Sequence, residues 1–333
     1  MKLRTTSLIA ALVLGLAAPA SAQLADGEQQ ATLSAIPGVL GTGASWTRIW
    51  SAPMNADGFT TAADGSLLFA QEQSNSIKKL WPNGQEWVAV PYLHGVGAVS
   101  VDATGRMFAI ERSCTDPGWH MDCAVPTAVV EVAPERKVLA DKFADGSTLG
   151  RLNDVESDRH GGAYFTEASK GGVDHVAADG TVTTIAVGDG LFTNGLVLSP
   201  DGKTLYVTNR KTILAFDVAA DGSTSNRRDF FALDVEPERG FGGDGMAVDS
   251  AGRLYVTADA GIYVISPEGK KLGVMPVPRR AITLAFAGPD RKTLYVGAMG
   301  GVDPDGKQWA TPEGVRNDAM TIYKVDVLAE GPR

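Results

Sequence analysis

Six copies of one short motif recur along this chain, and the repetition limits its possible folds more than any other feature. Each copy has a turn of small or acidic residues, a glycine or its substitute, and an apolar run with an aromatic side chain. The intervals between these aromatics are 39, 57, 41, 49 and 40 residues, near the blade period of about 45 in β-propellers. One small sheet cannot bury both of its faces alone, so the copies must stack around an axis. The six aromatic residues are Phe69, Phe108, Phe165, Tyr206, Tyr255 and Tyr295.

The repeats predict an all-β fold, a six-bladed β-propeller with four-stranded antiparallel blades. A second apolar run precedes each motif, as in GLVLSP before DGKTLYV, and we interpret these runs as the innermost strands. No helical periodicity is evident after residue 22. The run at 46–51 is predicted to pair with the run at 320–327 as the outer strand of the last blade, which closes the ring.

The chain divides into three predicted segments. Residues 1–22 have the pattern of a signal peptide, because Lys2 and Arg4 precede an apolar stretch that ends in Ala-Ser-Ala. Residues 23–44 form a leader rich in small residues. Residues 45–329 form the propeller as one domain. We therefore expect a secreted or periplasmic protein.

Composition narrows the expected partners. The formal net charge of −9 excludes a large basic surface for nucleic acid. The apolar stretch within residues 1–22 is too short to span a bilayer and no second such run follows it, so we expect no membrane partner. The predicted partner is a small-molecule substrate.

The longest interval between repeats contains an insertion at 113–126 (SCTDPGWHMDCAVP). Its two cysteines, Cys114 and Cys123, are the only ones in the chain, and in an oxidising compartment they predict one disulfide that closes a short loop. The insertion follows the second strand of its blade, so we expect it to overhang the start of the inner strands. Trp119 would then form one wall of a substrate pocket.

Polar residues occupy one repeated position at the start of the inner strands, where they should converge on the axis. Each such residue alone is an ordinary turn former before a strand, but two carboxylates and two carboxamides in one register point to a cation, since neighbouring carboxylates repel otherwise. Oxygen ligands favour one divalent ion, with calcium as the leading candidate and Mg²⁺, Mn²⁺ or Zn²⁺ as alternatives. The predicted metal ligands are Asp57, Asn153, Asn194 and Asp244; Val96 and Thr283 complete the register.

These segments resemble the regucalcin and gluconolactonase family of six-bladed propellers. The similarity is carried by RLNDVESDRHGGAYFTE (151–167), TNGLVLSPDGKTLYVTN (193–209) and GGDGMAVDSAGRLYVT (242–257). The resemblance implies hydrolysis of sugar lactones with one divalent cation in the axial channel. It makes Asn194 and Asp244 metal ligands, and Arg151 and Asn153 substrate contacts. The chain departs from the family where the usual Glu-Gly-Pro reads Asp57-Gly58-Phe59, with a shorter acid.

The predicted reaction is metal-assisted opening of a cyclic ester. Asp244 is the candidate catalytic base for the attacking water, and Arg151 would orient the substrate through its fixed donors. His94, two residues before the second inner strand, is placed near the channel mouth as a further substrate contact. A sugar lactone, an aromatic lactone and an acyl-homoserine-type ring all fit this chemistry.

Two other functions fit the same oxygen ring. A calcium-dependent phosphotriesterase-like hydrolase would use much the same ligands, and activity on fluorophosphates would favour it. A non-catalytic propeller would bind a ligand on one face and use the ion structurally, since a fold alone does not establish an activity.

Overall fold

The computed structural model describes residues 24–113, 125–188, 190–235, 242–311, 314–315 and 319–332. These residues form six four-stranded antiparallel sheets, and the inner strands of neighbouring sheets contact one another around a ring. The predicted six-bladed propeller is therefore confirmed.

Each blade is a meander whose strands run in order from the axis outward. Blades 1 to 3 consist of β2 (Asp57–Thr61), β3 (Leu67–Gln71), β4 (Ser76–Leu80) and β5 (Glu86–Val90); β6 (Val96–Val101), β7 (Met107–Glu111), β8 (Ala128–Ala133) and β9 (Lys137–Ala140); β10 (Leu152–Ser157), β11 (Ala163–Glu167), β12 (Gly172–Val176) and β13 (Val182–Ala186). Blades 4 to 6 consist of β14 (Thr193–Leu198), β15 (Thr204–Asn209), β16 (Thr212–Val218) and β17 (Thr224–Ala232); β18 (Met246–Val248), β19 (Leu254–Ala258), β20 (Gly261–Ile265) and β21 (Lys271–Met275); β22 (Ala281–Ala287), β23 (Thr293–Met299), β26 (Met320–Asp326) and β1 (Thr47–Ala52).

Three short elements lie outside the blades. Strands β24 (Ala310–Thr311) and β25 (Gly314–Val315) form a two-stranded hairpin. A 3₁₀ turn at Glu72–Ser74 follows β3, and it is the one helical element in the part of the chain that the structure describes. That part has no helix of the length and apolarity needed to cross a bilayer.

The ring is closed by the N-terminal strand, as predicted. Strand β1 pairs with β26, with Thr47 opposite Lys324 and Ala52 opposite Met320. Because β26 also pairs with β23, blade 6 combines strands from both ends of the propeller. The pairing with β1 covers the outer edge of β26, which would otherwise be unpaired.

The apolar core is divided among the contacts between blades. Six buried clusters each combine side chains from two neighbouring blades. The six repeated aromatic residues are all less than 9 % exposed, which explains their period: each fills its blade's share of an interface. Residues 24–44 add to this core, since Ile36, Val39 and Leu40 are buried between blades 5 and 6.

Two tryptophans, each on the outermost strand of its blade, test how much ring closure depends on packing. Trp50 in β1 is buried against Phe69, with ring centroids 5.4 Å apart, and its Nε1 donates to Glu86 at 2.7 Å. Trp87 in β5 is 71 % exposed. We expect Trp50→Ala to lower the free energy of unfolding by about 3 kcal/mol or more and Trp87→Ala to change it by about 0.5 kcal/mol or less. Urea denaturation measures both, and equal losses would contradict the assigned role of Trp50.

Candidate functional site

The predicted polar residues lie at the same end of the axis. Asp57 begins β2, Asn153 and Asn194 are the second residues of β10 and β14, and Asp244 lies two residues before β18. In β2, β10 and β14 a register shift interrupts the pairing close to these residues, so the inner strand bulges there. All four residues are partly accessible.

Buried threonines fix the backbone of these residues from the preceding blade. Thr166 Oγ1 donates to the carbonyl oxygen of Asn194 at 2.5 Å, and Thr208 Oγ1 donates to that of Asp244 at 2.9 Å. Both threonines have no exposed surface. Each of these candidate ligands is therefore held by its neighbour before any ion binds, which reduces the reorganisation needed on binding.

Glycines after the candidate ligands allow the inner strands to approach closely. A Cβ at Gly195 would lie 2.4 Å from the carbonyl oxygen of Asp244, and a Cβ at Gly58 would lie 2.3 Å from Cα of Ala98. A larger residue at either position would push neighbouring blades apart. The glycines of the Asp57-Gly58 and Asn194-Gly195 pairs thus allow close packing around the axis.

In blade 3 the residue after the candidate ligand Asn153 is Asp154 instead of a glycine. The sequence analysis missed Asp154 as a site residue. Its Oδ1 accepts the N–H of Val155 at 2.9 Å and its Oδ2 accepts that of Leu196 at 3.1 Å. Burial, with a smaller contribution from the negative charge of Asp57, raises its pKa to about 7. Asp154 is therefore a third carboxylate on the axis, and the signal for it was its position directly after Asn153.

A buried ion pair between blades 1 and 2, which the sequence analysis also missed, borders the ring. Arg112 follows β7, and its side chain crosses Gly97, where a Cβ would lie 2.3 Å from Nε. Its Nη1 lies 3.3 Å from Oε2 of Glu72. Its Nε and Nη2 donate to the carbonyl oxygens of Leu152 and Asn153 at 2.9 and 3.0 Å. Arg112 thus holds the backbone of the inner strand of blade 3, as Thr166 and Thr208 hold the backbone of Asn194 and Asp244 in blades 4 and 5.

Mutual repulsion and burial disfavour the charged forms of these acids. Burial raises the pKa of Asp244 to about 8, with a further contribution from the charge of Asp57. Burial also raises the pKa of Asp57, although Arg112 and the Gly58 N–H oppose the shift. A cation between these carboxylates would remove the repulsion.

Arg151 and His94, which are predicted to contact the substrate, lie in different environments. Arg151 precedes β10, and burial followed by the positive charge of Arg112 lowers its pKa. Its charge interacts with Asp57 and Glu72, so it belongs to the ring. His94 is exposed, and its backbone N–H donates to Glu111 at 3.2 Å. Trp119, Cys114 and Cys123 lie outside the described residues.

The channel continues below the ring as a cavity of about 550 Å³ that all six inner strands line. Asp154 borders it near the ring, and Glu156 borders it two residues further along β10. Ser100 Oγ donates to Glu156 at 2.9 Å, and burial raises the pKa of this carboxyl. The axis is thus acidic over more than one layer.

The donor set fits a hard cation with mixed carboxylate and amide ligands. Among the described residues, no group of three His, Cys, Asp or Glu side chains could hold a metal ion without other ligands. A cation at this ring would therefore need the asparagine amides in addition to carboxylates. Carboxylate and amide oxygens are typical ligands of Ca²⁺ and Mg²⁺, whereas Zn²⁺ usually takes histidine or thiolate.

The sequence profile of the SMP-30/Gluconolactonase/LRE-like region matches residues 55–300, which span the ring and all six inner strands. The chain belongs to the SMP-30/gluconolactonase/LRE-like family. The predicted resemblance is confirmed.

Named relatives of this family member are lactone hydrolases. Pentonolactonase XacC of Haloferax volcanii is 31 % identical over 251 residues, which cover 67 % of this chain and 84 % of the relative. A gluconolactonase of Xanthomonas campestris has the same fold, with a TM-score of 0.66 and 20 % identity over 90 % of this chain and 94 % of its own. A calcium-binding regucalcin of Agrobacterium tumefaciens superposes with a TM-score of 0.60 and 18 % identity over 84 % and 92 % of the two chains. The predicted enzyme class, a hydrolase of ester bonds, is confirmed.

The raised pKa values of Asp244 and Asp154 predict how pH and cations affect the stability of the protein. The pKa of Asp244 is about 8 in the folded state against an ordinary 3.8, and that of Asp154 is about 7. A carboxyl with a raised folded pKa stabilises the folded state below its unfolded pKa, and this contribution is lost as the pH rises through the folded pKa. The metal-stripped protein should therefore lose stability between about pH 4 and pH 8.

Thermal unfolding across this range, with chelator and with added Ca²⁺, measures the effect. We expect Tm to fall with rising pH in chelator and Ca²⁺ to raise it most above about pH 7, because the ligands must be deprotonated to bind. Asp244→Asn should flatten the pH dependence, and the exposed-turn variant Asp305→Asn should leave it unchanged. A wild-type Tm that rises with pH in chelator would contradict this prediction.

Proposed function

We propose that this protein is a metal-dependent lactonase whose axial ring hydrolyses a cyclic ester. The observation that carries the proposal is the convergence of Asp57, Asn194 and Asp244 on one end of the channel, with raised carboxyl pKa values. The names of the relatives support the substrate class, and the regucalcin fold neighbour supports calcium.

Asp57, Asn194 and Asp244 would hold the cation, with Asn153 beside them. A bound cation would polarise the lactone carbonyl as a Lewis acid and stabilise the oxyanion that forms on it.

The chain's own residues supply the proton transfer and the orientation. Asp244, with one oxygen on the cation and the other free, would accept a proton from the attacking water. The water oxygen forms a bond to the carbonyl carbon, and the ring C–O bond breaks. The proton held on Asp244 then passes to the leaving alkoxide, which gives a hydroxy acid. Arg151 orients the substrate with its planar donors.

The ion pair of Arg112 and Glu72 supports this geometry. Arg112 holds the carbonyl oxygens of Leu152 and Asn153, so it fixes the segment that contains Arg151 and Asn153. Both side chains of the pair are almost fully buried, which limits their movement. The substrate-orienting segment is thereby tied to blade 1.

Proton release from a panel of lactones tests the activity. The panel contains sugar lactones, an aromatic lactone and an acyl-homoserine lactone, together with a phosphotriester. The protein is stripped with chelator and resupplied with Ca²⁺, Mg²⁺, Mn²⁺ or Zn²⁺ in turn. We expect hydrolysis of at least one lactone to return with one cation, and Asn194→Ala to lower kcat/KM by about 100-fold because a metal ligand is lost. Asn83→Ala, in an exposed turn, is the matched control.

The same panel separates the competing functions. Turnover of the phosphotriester alone would favour a phosphotriesterase-like hydrolase. Rates equal to the buffer blank with every cation would reject hydrolysis of these substrates and favour a ligand-binding propeller.

We also propose export from the cytoplasm, on the signal-peptide pattern of residues 1–22, which lie outside the described part of the chain. Expression in a bacterial host, followed by fractionation and N-terminal sequencing, should find a protein that begins at Gln23 outside the cytoplasm. An uncleaved N-terminus in the cytoplasmic fraction would reject this proposal.

A further inference from the structure

Glu72 is a fully buried carboxylate that lies next to the ring but was not expected there. It begins the 3₁₀ turn after β3, and its side chain is 0 % exposed. Its backbone N–H donates to Asn55 Oδ1 at 2.9 Å, and the Asn55 N–H in turn donates to Gln73 at 3.0 Å. The turn is therefore fixed to the segment two residues before Asp57.

The two oxygens of Glu72 differ in their surroundings. Oε2 lies 3.3 Å from Arg112 Nη1, whereas Oε1 is buried with no hydrogen-bond partner in the described structure. A buried polar atom without a partner costs about 1–3 kcal/mol. The Oε1 atom therefore requires a positive or hydrogen-bonding partner that the described side chains do not supply.

Glu72 lies next to the ring, because its partner Arg112 also donates to the carbonyl oxygen of Asn153 at 3.0 Å. It interacts with Asp57 and Arg151 as well as with Arg112, so the carboxylate belongs to the axial group. Glu167 also has a buried oxygen without a hydrogen bond, but its Oε1 accepts the N–H of Ser169 at 2.9 Å and its charge acts on Asp174 in its own blade. Glu72 instead interacts with Asp57, a candidate metal ligand.

We propose that Glu72 is a further ligand of the axial cation, bound through Oε1. This inference rests on the proposed function, because it requires a cation at the ring. Asp57 is a short acid whose Oδ1 already accepts the Gly58 N–H at 2.9 Å, so blade 1 offers little oxygen from that residue alone. Glu72 adds an anionic oxygen from the same blade.

Arg112 explains why this acid is needed at this point of the ring. In blade 2 the repeated position carries Val96, and the guanidinium of Arg112 occupies the space over Gly97. A guanidinium so close to the axis would repel a divalent ion unless an acid offset its charge. Glu72 offsets it with Oε2 and leaves Oε1 for the ion.

Direct titration of Ca²⁺ into the chelator-stripped full chain tests the proposal by calorimetry, without an activity readout. We expect Glu72→Gln to raise Kd for Ca²⁺ about tenfold or more, in the range of lost metal-site interactions. Glu111→Gln is the matched control: Glu111 is also buried and paired with an arginine, Arg136 at 2.8 Å, and it accepts the backbone N–H of His94 at 3.2 Å. The Kd of this variant for Ca²⁺ should stay within about twofold of the wild-type value. Glu72→Asp keeps the charge on Arg112 and withdraws the oxygen, so it should also raise Kd even if the glutamine variant fails to fold.

The outcomes separate this inference from the function on which it rests. Wild-type binding with unchanged Kd in both Glu72 variants would overturn the ligand role of Glu72 and leave the metal centre standing. A raised KM for the lactone at unchanged Kd would overturn it too, and would make Glu72 a substrate contact. Absence of Ca²⁺ binding by the wild-type chain would overturn the axial metal centre itself.

Discussion

Close approach of six inner strands around one axis is the constraint on which the rest of the structure depends. At Gly58 and Gly195 the neighbouring backbone lies within 2.3 and 2.4 Å of where a Cβ would stand, so these positions admit no side chain. Side chains that do reach the axis must come from the residue next to the glycine. The packing requirement thus places Asp57 and Asn194 at the channel and fixes their spacing from the aromatic residues that fill the blade interfaces.

The same crowding creates the electrostatics of the site. Strands that approach closely bring their acids close. Burial raises the pKa values of Asp57, Asp154 and Asp244, and the negative charge of Asp57 contributes to the shifts of Asp154 and Asp244. A fold that needed only stability would not keep three such acids on one axis, because unpaired buried charge is costly. The proposed cation would offset this cost, and Thr166 and Thr208 from the preceding blades hold the backbone of Asn194 and Asp244 in place.

The repeated register could be predicted from the sequence because one physical cause, packing around an axis, imposes it on every blade. It predicted closure by the run at 46–51, which is observed as β1 (Thr47–Ala52). Asn194 and Asp244 lie at the start of their inner strands, and their role as metal ligands stays a prediction. Glu72 and Arg112 could not be found this way, since each occurs once and outside the repeated position. Their pairing depends on how two second strands end and on the open space over Gly97, which only the three-dimensional arrangement reveals.

Closure of blade 6 by β1 also determines the order in which this protein can fold. Thr47 pairs with Lys324 and Ala52 with Met320, so the first strand of the ring in the sequence can pair only after the last strand has been made. Contacts this distant in sequence are slow to form, because almost the whole chain must be ordered before they contribute. During synthesis the first five blades can assemble, but β1 has no partner until residues 320–326 have left the ribosome. The ring therefore closes only once residues 320–326 are available, and until then the chain exposes the edges that the finished propeller conceals.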